Sequence, residues 1–217
     1  MNAQIRLGLL VAAVSAVPLA PTAAAKEPPA PAPPEEITQY YESGEYDADL
    51  KKATAAATKS LTAQLKKKPK KPAIVFDIDD TLESTYECAK KSNFDRAAIG
   101  LCQARTEQTP IAPVWKLLKL AQKKKVALVV ITGRPKGIAP GTTEQLKRDG
   151  LKGKYTLVMR PNSDFGTPAQ PYKAKARKAI QKKGYKILVN IGDQQSDLAG
   201  GASVKTFKVP NPMYFTP

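Results

Sequence analysis

The chain has 217 residues, with 35 Lys and Arg against 19 Asp and Glu, a formal net charge of +16 and no histidine. The length suits one domain with a sizeable core. Without histidine, Ser-His-Asp, Cys-His and phosphohistidine chemistry and His-ligated zinc or iron are excluded, so carboxylates, lysine and hydroxyls must carry any reaction.

The first 25 residues read as an export signal. Arg6 supplies the basic start, Leu7 to Ala20 the apolar stretch, and Ala23-Ala24-Ala25 a small-residue cleavage site. Pro18 and Pro21 interrupt the run, which is shorter than the roughly 20 apolar residues that span a bilayer. Cleavage after Ala25 is expected, giving a soluble secreted or periplasmic protein with no membrane as partner after cleavage. It removes Arg6 and no acid, so the charge falls from +16 to +15. Lys26 to Pro34, rich in Pro and Ala, reads as a disordered or polyproline spacer. The folded domain is expected over 35–217.

Glu35 to Leu65 has a helical pattern interrupted near Gly44, and its second half is rich in good helix formers. Ala73 to Phe76 is then a short continuous apolar run, as expected of a strand buried on both faces. Similar runs follow at Val126 to Ile131, Tyr155 to Met159 and Tyr185 to Ile191, with a weaker one at Val204 to Val209. Helical patterns lie between them at Val114 to Lys124, Thr142 to Asp149 and Lys173 to Lys183. The alternation predicts a doubly wound α/β domain with a parallel sheet. Ligands in such folds collect beyond the C-terminal strand ends.

The lysines fall in clusters such as Lys66-Lys67-Lys68, Lys123-Lys124-Lys125 and Lys182-Lys183, each at the end of an expected helix. Cations there suit the helix dipole and stay solvated. The expectation is a basic surface that attracts polyanions nonspecifically, with no specific nucleic-acid site. Cys88 and Cys102, in a chain bound for an oxidising compartment, are expected to form a disulfide closing a loop of about 15 residues.

The strand ends carry the chemistry. The first ends in Asp77-Ile78-Asp79-Asp80-Thr81, three carboxylates in four residues, costly to gather unless a cation neutralises them. A hard divalent ion that prefers oxygen ligands fits best. The bland reading is an acidic loop or helix cap. The second strand ends in Thr132-Gly133-Arg134, which either holds a phosphoryl oxygen or merely turns. The fourth ends in Gly192-Asp193-Gln194-Gln195-Ser196-Asp197, a second acidic cluster on a strand expected near the first.

In this order and spacing, the motifs FDIDDT at 76–81, ITGR at 131–134, Tyr172-Lys173 and GDQQSD at 192–197 resemble the haloacid dehalogenase (HAD) superfamily. With Tyr40-Tyr41-Glu42-Ser43-Gly44 and the ending Val209-Pro210-Asn211-Pro212-Met213-Tyr214-Phe215, the sequence is similar to its acid phosphatase group, which includes plant vegetative storage proteins and secreted bacterial enzymes. The resemblance implies an HAD-like Rossmannoid sheet and a phosphomonoesterase acting on small phosphate esters. It implies that Asp77 is the nucleophile and Asp79 the general acid and base. It further implies Mg²⁺ held by the Asp77 carboxylate, the Asp79 carbonyl and Asp193, with Thr132, Gly133 and Lys173 on the phosphoryl group. Asp197 would orient Lys173 or a metal-bound water; Lys175 and Lys186 are rivals to Lys173. Asp80 is expected to be structural.

Residues 82–112 are expected to form a small cap that leaves the site open to a broad range of esters. Arg134 is a candidate substrate contact. Arg96, Arg105, Phe94, Tyr86 and Trp115 are expected to be mostly cap surface and core. The rival reading is a catalytically weak storage or polyanion-binding protein on the same fold.

Overall fold

In the strand Pro72–Phe76 (β1), alternate side chains enter different cores: Ile74 and Phe76 join one apolar cluster, Ala73 and Val75 the other. Period-two alternation with both faces buried requires cover on both sides of the sheet. The computed structural model describes residues 29–216, so the expected export signal and its cleavage site lie outside the described residues.

Helices Pro34–Glu42 (α1) and Glu45–Leu65 (α2) precede β1. Gly44 separates them at φ 86°, a left-handed conformation that suits glycine. After β1 come the two-residue strand Glu83–Ser84 (β2), helices Tyr86–Lys91 (α3) and Arg96–Arg105 (α4), and strand Thr109–Pro110 (β3). Helix Ala112–Lys123 (α5) leads to strand Ala127–Pro135 (β4), then helix Ala139–Arg148 (α6) and strand Thr156–Arg160 (β5). Helix Ala169–Lys182 (α7), strand Lys186–Gly192 (β6), the short helix Gln195–Leu198 (α8) and strand Lys205–Lys208 (β7) complete the order.

The main sheet runs β5-β4-β1-β6-β7 with every neighbouring pair parallel. From β1 the chain builds outward through β4 and β5, then returns to the other side for β6 and β7. The strand order therefore reverses beside β1, where such sheets open a crevice. Helices α2 and α5 cover one face, with Leu61 and Leu118 in the larger cluster; α7 covers the other with Ala176 and Ile180. Phe76 pairs with Val130 on one side and Ile191 on the other, so the residues that follow emerge side by side.

The expected α/β architecture is thus present. Residues 32–34 depart from the expected spacer: Ala32 is buried, its N–H donates to the Pro212 carbonyl at 3.0 Å, and Pro34 opens α1. Of two aromatic stacks on Tyr41, one joins α1 to α2 and the other ties α1 to the segment after β1. The Tyr41 ring lies 4.0 Å from Tyr46 and 3.9 Å from Tyr86 between centroids.

Within 82–112, α3 and α4 pack on each other, and β2 pairs antiparallel with β3 to close the base of the insertion. Cys88 and Cys102 are disulfide-bonded, joining α3 to α4. The loop closed is short, so the bond contributes up to about 3 kcal/mol in the chain-entropy picture. Reduction, or Cys88→Ser with Cys102→Ser, is expected to lower the unfolding free energy by that order, read as a lower urea midpoint. An unchanged midpoint would mean the α3–α4 packing stands without the crosslink.

Candidate active site

The crevice is built from strand ends. Asp77 directly follows β1, and its N–H donates to the Ile191 carbonyl of β6 at 3.1 Å, which fixes the two ends level. Asp193 directly follows β6. Asp197 enters from α8, and Lys173 from the second turn of α7, which begins at Ala169 rather than at the expected Lys173. The carboxylate oxygens of Asp77, Asp193 and Asp197 lie within 4.8 Å of one another, all buried.

The Lys173 ammonium is 2.7 Å from Asp77 Oδ1 and also donates to Asp197 Oδ1. Lys175 and Lys186, its rivals in the sequence, are exposed. Burial works against the Lys173 charge, but Asp197 and Asp77 beside it outweigh that and hold its pKa above the usual lysine value. Asp193 is held by neutral donors: Thr81 Oγ1 at 3.1 Å, Gln194 Nε2 at 2.6 Å and Asn211 Nδ2 at 2.7 Å. Burial first, then the Asp197 charge, push Asp193 up to about 7. The same two causes raise Asp77 well above the usual carboxylate range. Hard oxygen donors with surplus negative charge are the composition that a divalent cation fits.

Asp197 is positioned from several directions. Its Oδ2 accepts the Gln194 N–H at 2.9 Å, and its carbonyl accepts from Asn190 Nδ2 at 2.9 Å. Arg177, one helical turn beyond Lys173, is fully buried; its Nη groups donate to the Asp197 and Ala199 carbonyls and its Nε to Gly201 at 3.0 Å. At Gly192 a Cβ would collide with the Asp197 side chain. Glycine there is a packing requirement.

Asp79 turns to a different network. Arg134 Nε lies 3.1 Å from both Asp79 carboxylate oxygens, and Nη2 lies 2.8 Å from Oδ1. The remaining guanidinium donors reach Thr142 at 3.2 Å, Gln145 at 2.8 Å and Gln108 at 2.7 Å. Gln108 in turn donates to Asp79 Oδ1 at 2.6 Å. Arg134, expected as a substrate contact, lines the crevice and has all five N–H groups engaged within the protein. The structure gives it Asp79 as its partner.

Thr132 is fully buried, its hydroxyl oxygen accepting the Arg134 N–H at 3.2 Å, while Gly133 lies on the wall of the crevice. Asp80, at φ 55°, accepts from Thr85 N–H at 2.8 Å, Thr85 Oγ1 at 2.6 Å and Tyr214 Oη at 2.6 Å. It closes the turn after β1 and ties down the C-terminal segment. Trp115 is core, its indole N–H donating to the Leu82 carbonyl at 3.0 Å, and Tyr86 is buried against Tyr41. Phe94 is half-buried against the cap core and Arg105 exposed.

Together these groups line a cavity of about 620 Å³, with Asp77, Asp79, Lys173 and Asp193 on its walls and α4 of the insertion on one side. Arg96 of α4 lines it and lies 4.5 Å from the Tyr214 ring centre. Phe165 and Phe215, 68% and 58% exposed, also border it. Phe165, Gln108 and Arg177 carry no mark in the sequence, because each is a lone residue within an ordinary local pattern.

A doubly wound sheet with acidic strand ends, a buried lysine and a capped crevice defines the HAD class of site. The chain belongs to the HAD superfamily, subfamily IIIB (acid phosphatase), whose family model matches residues 9–217. It is 34% identical to vegetative storage protein 1 of Arabidopsis thaliana over 149 residues, covering 66% of this chain and 55% of that protein. It is 31% identical to acid phosphatase 1 of Solanum lycopersicum over 147 residues, covering 65% of this chain and 58% of that one. The chain thus matches little more than half the length of either relative. Its fold is similar to that of the class C acid phosphatase from Bacillus anthracis, with a TM-score of 0.66 and 20% identity over 83% of this chain and 84% of that chain.

Behind Asp79, Glu83 is fully buried and neither carboxylate oxygen has a hydrogen-bond partner. Burial, then Asp149, push it from its ordinary 4.5 up to about 8. The folded protein holds this proton more tightly than the unfolded chain. Glu83 therefore adds stability in full below about 4.5, and that contribution is lost as pH rises towards and through about 8. Urea unfolding from pH 4.5 to 9 is expected to show a steeper decline for the native protein than for Glu83→Gln. Parallel curves would contradict the assignment.

Proposed function

We propose that this chain is an exported, Mg²⁺-dependent phosphomonoesterase that works through a covalent phosphate on Asp77. The observation that carries the reading is the Lys173 ammonium, 2.7 Å from Asp77 on the crevice wall and paired also with Asp197. A carboxylate held beside a buried cation is an oriented nucleophile whose adduct with a phosphoryl group the same cation can neutralise.

In the first step an Asp77 oxygen bonds to phosphorus as the bond to the leaving alcohol breaks, and Asp79 gives that alcohol its proton. In the second, Asp79 takes a proton from water, whose oxygen bonds to phosphorus; phosphate leaves and the Asp77 carboxylate returns. Lys173 and the Gly133 N–H, with the Thr132 hydroxyl, are assigned to the phosphoryl oxygens. Asp77, the Asp79 carbonyl and Asp193 would hold Mg²⁺, and Asp197 keeps Lys173 in place. Bound there, the ion offsets the negative charge that otherwise opposes approach of a carboxylate to an anionic ester.

Arg134 and Gln108 then act as positioning residues. Their bonds to one carboxylate fix the direction in which Asp79 presents its proton. The insertion 82–112 is a cap over an open crevice, which suits a range of small phosphate esters. Export rests on the leader and on the Cys88–Cys102 bond, which suits an oxidising compartment.

The storage or binding reading is kept alive by the similarity to a vegetative storage protein. Against it stand Asp77, Asp79, Thr132, Lys173, Asp193 and Asp197, all present in this chain. Turnover of p-nitrophenyl phosphate is expected with Mg²⁺, to be abolished by EDTA, and to fall at least ~1000-fold in Asp77→Asn. No turnover by folded, metal-loaded protein would favour storage or binding instead.

For Gln108→Ala and Arg134→Lys, the expectation is a loss of up to ~100-fold in kcat with KM little changed. A rise in KM at unchanged kcat would return Arg134 to the role of substrate contact.

A further inference from the structure

The lysine clusters acquire a common location once the topology is known. In a parallel sheet every helix-to-strand connection lies at the N-terminal edge, opposite the crevice. Residues 66–71 lead into β1, 123–125 into β4, 152–154 into β5 and 182–186 into β6. These segments carry five, three, two and three lysines, every one exposed. None of the four segments contains an acidic residue.

The connections touch one another. Gln122 Nε2 donates to the Lys152 carbonyl at 2.7 Å, joining the approach to β4 with that to β5. Lys71 lies 5.9 Å from the Tyr185 ring centre, joining the approaches to β1 and β6. Lys71, Lys125, Lys152 and Lys154 together rim a shallow cleft of about 390 Å³. The charges therefore form one face, and the acidic crevice opens at the other end of the sheet.

We propose that this basic edge docks the protein on an anionic phospholipid bilayer, holding the crevice away from the surface. The choice of lipid over nucleic acid follows from the side chains. The face is made of lysine, a mobile point charge, and its four connections contain no arginine for bidentate contact with phosphates or bases. Tyr155 and Tyr185 are the aromatic residues of these connections, and both are partly buried in the core, so no stacking platform for bases is presented. Diffuse attraction between many lysines and a charged plane needs neither.

The test is sedimentation with sucrose-loaded vesicles. Vesicles of phosphatidylcholine with a third phosphatidylglycerol are compared with pure phosphatidylcholine at low and high salt. The native protein is expected to bind the anionic vesicles alone and to be released by salt. Lys71→Glu/Lys125→Glu/Lys154→Glu is expected to weaken binding by at least ~10-fold. Lys51→Glu/Lys52→Glu/Lys91→Glu makes the same change in net charge elsewhere and is expected to weaken it far less. Circular dichroism and urea unfolding establish that both variants fold. Equal losses in the two variants would overturn the assignment to this edge. Equal binding to both kinds of vesicle, or stronger retention on duplex DNA at matched phosphate concentration, would overturn the commitment to an anionic membrane. None of these readouts depends on the catalytic role given to Asp77.

Discussion

One buried ammonium shared between two buried carboxylates organises this molecule. Lys173 bridges Asp77 from β1 and Asp197 from α8, so three elements distant in sequence are tied at one atom. Moving such charges out of water costs several kcal/mol each, which only close opposite charge and hydrogen bonds repay. Asp193 leaves the account unbalanced. Among the described residues it makes no ion pair, and neutral donors surround it. The raised pKa values of Asp77 and Asp193 express that imbalance, and a divalent cation is the natural counterweight.

Much of the remaining structure holds this charge cluster still. Gly192 leaves room for Asp197, Arg177 binds three carbonyls of the following loop, and the C-terminal segment reaches back through Asn211 and Tyr214. Asp79 belongs to a second network, separately braced by Arg134 and Gln108. The two carboxylates on one side of β1's end thus have different neighbours, which allows them different tasks. Because Gln108 lies next to the short ladder closing the insertion, the cap and the Asp79 network are mechanically joined.

The strands were legible because burial on both faces leaves continuous apolar runs, and the helices because their apolar faces repeat at helical spacing. Asp77, Asp193 and Asp197 were legible because carboxylates clustered after apolar runs are costly without a purpose. The partners of Asp79 were not. Gln108 is one polar residue at the end of a segment without periodicity, and Arg134 has the same appearance whether it faces substrate or protein. Arg177 looked like one more cation on a lysine-rich helix, although its side chain is fully buried. The basic edge was visible as clusters but not as a face, since only the parallel topology brings the four connections together.

The central claim is that Asp77 becomes covalently phosphorylated. Its most direct test is rapid acid quench during turnover of a ³²P-labelled ester, followed by mapping of protein-bound label. The account predicts an acid-stable, hydroxylamine-sensitive label on the peptide containing Asp77, absent from Asp77→Asn. Turnover with no protein-bound phosphate at any quench time, or label on another residue, would contradict it.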